Sequence, residues 1–424
     1  MFDYRAGDLY IEEVPLAALA ENYGTPLYVY SRHALEAAYA TLVEHLGSLG
    51  VPLIVCYALK ANANPALGRL LAELGAGADV VSGGELYLAR RIGFPDKRIV
   101  FAGVGKTHAE MAEALSGPGI SAFHVESRPE LEALAAVASG LGKVAPVAVR
   151  VNPDVDAHTH PYITTGTAAD KFGVPPTEAL ELTRIAAAHP HLQPVGLHAH
   201  IGSQLTNVSP IVEATRLLLE LWDRLSGEGI ALRSLDIGGG LAIPYHPDDA
   251  PQGPAELASG LRPLLRGRLL TLVLEPGRYL VGPCGLLLTR ILCTRPADPP
   301  AGRPHRLLIA DAGMNDLLRP ALYGAYHPLY PARLPGAELA PSDAYVTDVA
   351  GPVCESADFL ATDRELPEMC AGDLLAIGQA GAYGFSMSSQ YNGRPRPAEA
   401  LVDGTSAHLI RPRETYSHLM PEAL

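Results

Sequence analysis

Between about residues 50 and 280 the chain repeats one theme eight times: a short apolar or β-branched run followed, in seven cases clearly, by a longer segment of helical period. The runs fall at 53–58, 78–81, 98–102, 120–125, 144–151, 194–200, 233–237 and 270–275. Continuously hydrophobic strands belong in a sheet covered on both faces, and strands separated by helices pair in parallel. Eight such units fit a closed (β/α)8 barrel, which takes about 250 residues. The intervening segments carry helix punctuation. Asn64-Pro65 reads as an N-cap with proline at the first helical position, and Leu67, Leu70, Leu71 and Leu74 share a face before Gly75. Ser127 and Glu130 form a capping-box signature, and Ser209-Pro210 opens a helix with Leu218, Trp222 and Leu225 on one side.

Past residue 284 the texture changes. Short alternating runs at 306–310, 344–350, 373–378 and 398–402 sit between Gly, Pro and Asp turns, the pattern of an antiparallel β-domain. The Pro-rich stretch 292–304 reads as a surface connection. The expected division is a barrel over 32–283 and a β-domain built from 1–31 and 284–424.

Composition removes several classes of function. With 32 Lys and Arg against 46 Asp and Glu, the net charge is −14, which disfavours a nucleic-acid or anionic-membrane surface. No run of about 18 apolar residues occurs, and the opening MFDYRAGDLYIEEVP lacks the basic head and apolar stretch of a secretory signal. Five widely spaced cysteines fit a reduced, cytoplasmic protein better than a disulfide frame or a zinc knuckle.

In such a barrel, chemistry gathers at the C-terminal ends of the strands. The first strand runs into Lys60, either a solvated surface cation or a desolvated amine suited to Schiff-base formation. The sixth ends in His198 and His200, two apart and therefore on one side of the strand. Neither this pair nor His158 and His160 has the local carboxylate or cysteine spacing of a metal site. The seventh ends in Gly238, Gly239 and Gly240, a turn whose amides can approach an anion, although it can also be a tight turn without a ligand. It is not G-x-G-x-x-G, because position 243 is Ile; Gly105-Lys106-Thr107 is not a P-loop, because the position five before Gly105 is Val100. The eighth ends in Glu275-Pro276-Gly277-Arg278. An enzyme of pyridoxal 5'-phosphate (PLP) needs an imine-forming lysine, a phosphate cradle and a partner for the pyridine nitrogen. Lys60, the three glycines and Glu275 supply these together.

The same residues carry a resemblance. Over nearly its whole length the chain resembles the diaminopimelate decarboxylases, fold-type III PLP enzymes, in YALKANANP (57–65), GADVVSGGEL (77–86), RVNPDVDAHTHPYITTGTAADKFG (150–173), HAHIGSQL (198–205), LDIGGGLAIPY (235–245) and EPGRYLVG (275–282). Beyond the barrel the match continues in DAGMNDLLRPALYGAYHPL (311–329), GPVCESADFL (351–360) and GAYGFSMSSQYNGRPRPAE (381–399). It differs from the family pattern at His158 and Gly324. The resemblance implies that Lys60 holds PLP covalently, that His200 stacks on its ring and that Glu275 pairs with the pyridine nitrogen. Ser203, Gly239, Gly240 and the segment Glu275, Pro276, Gly277, Arg278 would surround the phosphate, with Tyr383 closing over the cofactor. It implies a homodimer with shared active sites, in which Cys354 and Glu355 reach the partner's site. Cys354 would return a proton to Cα. Arg278, Arg319 and Tyr323 would bind the substrate's far carboxylate and Glu355 its far ammonium.

The implied reaction is decarboxylation of meso-2,6-diaminopimelate to L-lysine and CO2. A substrate with an amino-acid head at each end needs a second carboxylate site and a second amine site, which arginine and glutamate provide. Three rivals stand beside it: a related decarboxylase of another or carrier-tethered amino acid, a racemase on the same barrel, and a PLP-binding protein without catalysis. A racemase would more often set an arginine against the pyridine nitrogen, and a delivery protein would lack the second domain.

Overall fold

The computed structural model describes residues 2–155, 171–297, 305–334 and 345–420. The loop containing His158 and His160 lies outside the described residues, as does part of the 150–173 segment. Two compact units emerge, one of Met1–Ala37, Pro244–Asp249 and Leu280–Leu424, the other of Ala38–Ile243 and Ala250–Tyr279.

The second unit is the barrel. Its strands are β1 (Leu53–Ala58), β2 (Gly77–Val80), β3 (Ile99–Phe101), β4 (Ala122–Val125), β5 (Ala145–Arg150), β6 (Leu192–His198), β7 (Ser234–Asp236) and β8 (Thr271–Leu274). All eight pair in parallel in chain order, and β8 closes on β1. The interior is layered. Cys56, Val100, Ala122, Ala148, Val195 and Val273 fill the lower part. Two residues further along, on the same side of each strand, stand His124 on β4, Arg150 on β5 and Glu275 just beyond β8. All three are buried. The apolar layer thus supports a polar one at the C-terminal mouth.

The helix signals hold with two amendments, one being that Leu74 falls just past the helix Pro65–Glu73 and is exposed. Asn64 Oδ1 accepts the Ala66 N–H at 2.9 Å, and Pro65 starts the helix. Ser127 Oγ accepts the Glu130 N–H at 3.3 Å. The reciprocal half of that capping box is not made. Glu130 instead accepts the Glu126 N–H and pairs at 2.5 Å with Lys106, whose side chain is buried and draws the carboxylate inward. Lys106 also donates to the Gly103 and His124 carbonyls, so it is a structural cation.

In the first unit the strand Gly285–Ala297 is the hub of a nine-stranded sheet. It pairs with Leu27–Ser31, Leu374–Ile377 and His305–Ala310. The stretch from 292 to 297 is therefore strand and not connection, because its outer residues pair across to 305–310. Most pairings are antiparallel. Two are parallel, between His305–Ala310 and Tyr345–Ala350 and between Leu27–Ser31 and Ala398–Asp403. Phe2–Arg5, Asp8–Ile11 and Val14–Pro15 form a small separate sheet. Leu9, Ile11, Leu16 and Leu19 pack with Leu27, Val29, Leu286 and Leu288 in the core of this unit.

Candidate active site

Lys60 follows β1 in a single 3-10 turn, Leu59–Ala61. Its Nζ lies 2.6 Å from Asp79 Oδ2 at the end of β2, and the Asp79 side chain is fully buried. Burial and the nearby Glu275 raise the Asp79 pKa, while Lys60 pulls it back down. The amine is thus held at the mouth by a carboxylate it can exchange a proton with.

Glu275 stands beside it, because β8 borders β1 and the Ala58 N–H donates to the Pro276 carbonyl at 3.2 Å. Burial would raise the Glu275 pKa. His198 and His124 override this and hold the carboxyl well below the usual range. His198 Nε2 lies 3.2 Å from Glu275 Oε2. Oε1 is buried and, among the described residues, has no hydrogen-bond partner.

His200 lies just past β6. The Gly239 N–H donates to its Nδ1 at 3.1 Å, which requires an unprotonated Nδ1 and hence a neutral ring. Burial, then Arg150 and Lys60, push its pKa down to about 3, in agreement. Arg150 is buried and pairs at 3.1 Å with Glu126 Oε1.

The glycine turn is required by close packing. A Cβ on Gly239 would collide with the Glu275 carbonyl oxygen. Gly240 has φ +110° and would meet Leu205 Cδ1 at 2.7 Å. Gln204 stitches this turn to the preceding loop by donating to the Ile243 carbonyl at 2.6 Å and accepting the Ile243 N–H at 3.2 Å. Arg278 directs both Nη2 (2.9 Å) and Nε (3.3 Å) onto Ser203 Oγ. Gly277 packs against Ala58 and Ala61.

These residues fit a phosphorylated pyridine. The buried, ionised Glu275 carboxylate suits a pyridinium N–H, Lys60 suits an aldehyde, and the glycine turn with Ser203 and Arg278 suits a phosphate. The barrel therefore brings together Lys60, His200, Ser203, Gly239, Gly240, Glu275, Pro276, Gly277 and Arg278. Sequence reasoning missed Asp79, His124, Arg150 and Asp236, which lie at or near strand ends. Applied to every strand, the strand-end filter flags Arg150 and Asp236.

The remaining candidates lie in the first unit. Arg319 opens the helix Arg319–Tyr323 and is 7% exposed, so it is not a surface cation. His327 Nδ1 lies 2.8 Å from the Gly378 carbonyl, which can only accept. The proton is therefore on Nδ1, and Nε2 accepts from Arg319 Nη1 at 2.8 Å. The guanidinium lies 4.4 Å over the Tyr245 ring. Tyr323 ends the same helix, half-buried, and Gly324 closes it in the left-handed conformation. Cys354 and Glu355 are exposed and tied to one turn. The Cys354 N–H donates to Asn392 Oδ1 at 2.8 Å, and the Tyr391 hydroxyl donates to Glu355 Oε2 at 3.5 Å. Tyr383 has φ +56°, a strained backbone conformation of the kind that gathers at functional sites.

Comparison with known proteins agrees with this geometry. Residues 33–282 match the pyridoxal binding domain of the pyridoxal-dependent decarboxylases. Diaminopimelate decarboxylase of Aquifex aeolicus is 47% identical over 422 residues, covering 100% of this chain and 97% of that protein. The Pseudomonas aeruginosa enzyme is 48% identical over 421 residues, covering 99% and 97%. The crystal structure of the M. jannaschii diaminopimelate decarboxylase with L-lysine superposes with a TM-score of 0.92 at 39% identity, covering 100% of this chain and 98% of that one. Likeness of this extent over both units places the chain in the diaminopimelate decarboxylase family of pyridoxal-dependent decarboxylases.

Proposed function

We infer that the protein is a PLP-dependent decarboxylase converting meso-2,6-diaminopimelate to L-lysine and CO2. One observation carries the reading of the chemistry. Glu275, held well below the usual carboxylate range at a strand end adjoining Lys60, is the partner a protonated pyridine nitrogen needs. Family membership supplies the substrate. Bound PLP acts as an electron sink for the pair of electrons left at Cα when CO2 departs.

The chain's own residues do the rest. Lys60 binds the cofactor and exchanges protons with Asp79. Glu275 keeps a proton on the ring nitrogen, and the neutral His200 covers one ring face. Gly239, Gly240, Ser203 and the segment Glu275, Pro276, Gly277, Arg278 surround the phosphate, and Tyr383 closes over the cofactor. Arg278, Arg319 and Tyr323 take the distal carboxylate, and Glu355 takes the distal ammonium. The burial of Arg319 and its lock on His327 support this, since a fixed guanidinium recognises a carboxylate at less entropic cost than a free one. Cys354 delivers the proton to Cα.

The reading extends to the assembly: a homodimer with shared active sites, in which the exposed Cys354 and Glu355 serve the partner's site. The barrel over 32–283 carries the cofactor, and 1–31 with 284–424 carry the substrate and partner contacts. A cytoplasmic location suits the five free cysteines, two buried and three exposed. Among the described residues no helix is long and apolar enough to cross a membrane. The purified protein loaded with PLP should release CO2 and L-lysine from meso-2,6-diaminopimelate. A loaded protein that binds this substrate and turns over none of it overturns the assignment.

A further inference from the structure

Beneath the pyridine partner lies a buried set of four titratable side chains from four different strand ends. His124 (β4), His198 (β6), Asp236 (β7) and Glu275 (after β8) place one ligand-type atom each within 4.8 Å of one another. His124 lies at the centre. Its Nδ1 is 3.3 Å from Glu275 Oε1 and its Nε2 is 3.5 Å from Asp236 Oδ2. Its ring stacks on that of His198 with centroids 4.0 Å apart and planes at 19°. The two nitrogens of its imidazole face different carboxyl groups, so the ring bridges Glu275 and Asp236. Glu275 Oε1, His124 Nδ1 and Asp236 Oδ2 are all buried without an aligned hydrogen bond. Three unsatisfied polar atoms along one bridge are costly, and a doubly protonated imidazole satisfies all three with a small rotation.

We propose that His124 is a positioning residue for the cofactor: bridging Glu275 and Asp236, it keeps the Glu275 carboxylate ionised and aimed, so that the proton of the pair rests on the pyridine nitrogen and not on Glu275. This rests on the PLP reading above.

The surrounding charges agree. Burial and then Glu275 push the Asp236 carboxyl well above the usual carboxylate range, which leaves Glu275 as the ionised member of the pair. Its other oxygen accepts the Gly238 N–H at 2.9 Å, tying the bridge to the glycine turn. Burial and then His124 push the His198 pKa down, while Glu275 pulls it up. Of the remaining neighbours, Asp79 is paired with Lys60, Arg150 with Glu126, and the Cys56 thiol is pushed up by burial. His198 contacts Glu275 Oε2 and His124 its Oε1, and His124 is the neighbour that joins Glu275 to Asp236. A cation in contact with the carboxylate stabilises its ionised form more than it opposes a pyridinium on the carboxylate's far side, because Coulomb energy falls with distance. Removing it moves the proton from nitrogen to Glu275.

The test loads wild type, His124→Gln and His124→Phe with PLP labelled with 15N in the ring and records the nitrogen resonance together with the carboxyl infrared band. Wild type should show a pyridinium. The Phe variant should show a neutral pyridine and a protonated Glu275, with kcat reduced about tenfold or more and KM little changed. The Gln variant, with one donor left, should fall between. A loaded Phe variant with the wild-type resonance overturns the proposal, and if that variant does not load, an unshifted Gln variant does so. Should neither load, wild-type holoenzyme with 15N-labelled histidine decides: a doubly protonated His124 supports the proposal and a neutral one overturns it. Failure of wild type itself to take up PLP would overturn the functional reading instead.

Discussion

His200 makes no claim on the eye as an acid–base group, because its ring is neutral in the fold. That neutrality has a measurable consequence. Its folded pKa, about 3, lies below the ordinary 6.5, so the unfolded chain takes up a proton that the folded one refuses. The stability it contributes is whole above about pH 6.5 and is lost as pH falls from there towards 3, at about 1.4 kcal/mol per pH unit. Urea unfolding of the cofactor-free protein at pH 7, 6 and 5 should therefore show a steeper decline for wild type than for His200→Gln; parallel declines would contradict the buried neutral imidazole. Lys60, His200 and Glu275 were legible in the sequence because each sits where a strand ends, and Arg319, Cys354 and Glu355 because of the resemblance alone. Nothing local marks Arg319 as buried; its lock on His327 and Tyr245 joins separate parts of the chain. His124 was hidden for another reason. It lies inside an apolar run, where one polar residue reads as an interruption until Ala122 below it is known to face the barrel interior.

At the scale of elements, the glycine turn after β7 shows how a backbone position becomes a binding determinant. Gly239 lies against the Glu275 carbonyl, and its own N–H is engaged by His200. Gly239→Ala must displace the turn, at about 1–3 kcal/mol of strain. That displacement moves both the turn proposed to border the phosphate and the histidine proposed to cover the ring. Fluorescence titration of the cofactor-free variant should show PLP affinity weaker by about 10- to 100-fold. An affinity equal to wild type would remove the turn from the phosphate site. The eight barrel strands were readable because each is a compact apolar run closed by its own helix, and all the information is local. The β-unit was read less well. The pairing of Leu27–Ser31 with Ala398–Asp403 joins the two ends of the chain, and the outer half of Gly285–Ala297 is strand because of a partner across a Pro-rich gap. Neither relation leaves a local signature.

The whole molecule raises the question of whether one chain suffices. Cys354 and Glu355 are exposed and fastened to the turn at 391–393, an unusual place for a proton donor unless another surface covers it. Proton transfer by a positioned side chain contributes about 10²–10⁴-fold, and solvent at an open thiol would forfeit much of that. If the partner subunit supplies the cover, each active site draws Lys60 from one chain and Cys354 from the other. Two inactive variants then complement. Lys60→Ala and Cys354→Ala homodimers should each be nearly silent. Unfolded together in equal amounts and reassociated, half the dimers are mixed, and each mixed dimer carries one site with both residues intact. Activity should recover to about a quarter of wild type, the statistical limit for a two-fold dimer with shared sites. A site complete within one chain gives a different result, because a mixed dimer then holds one defect in each site. No recovery from a mixture shown to contain mixed dimers would confine Lys60 and Cys354 to the same site of one chain.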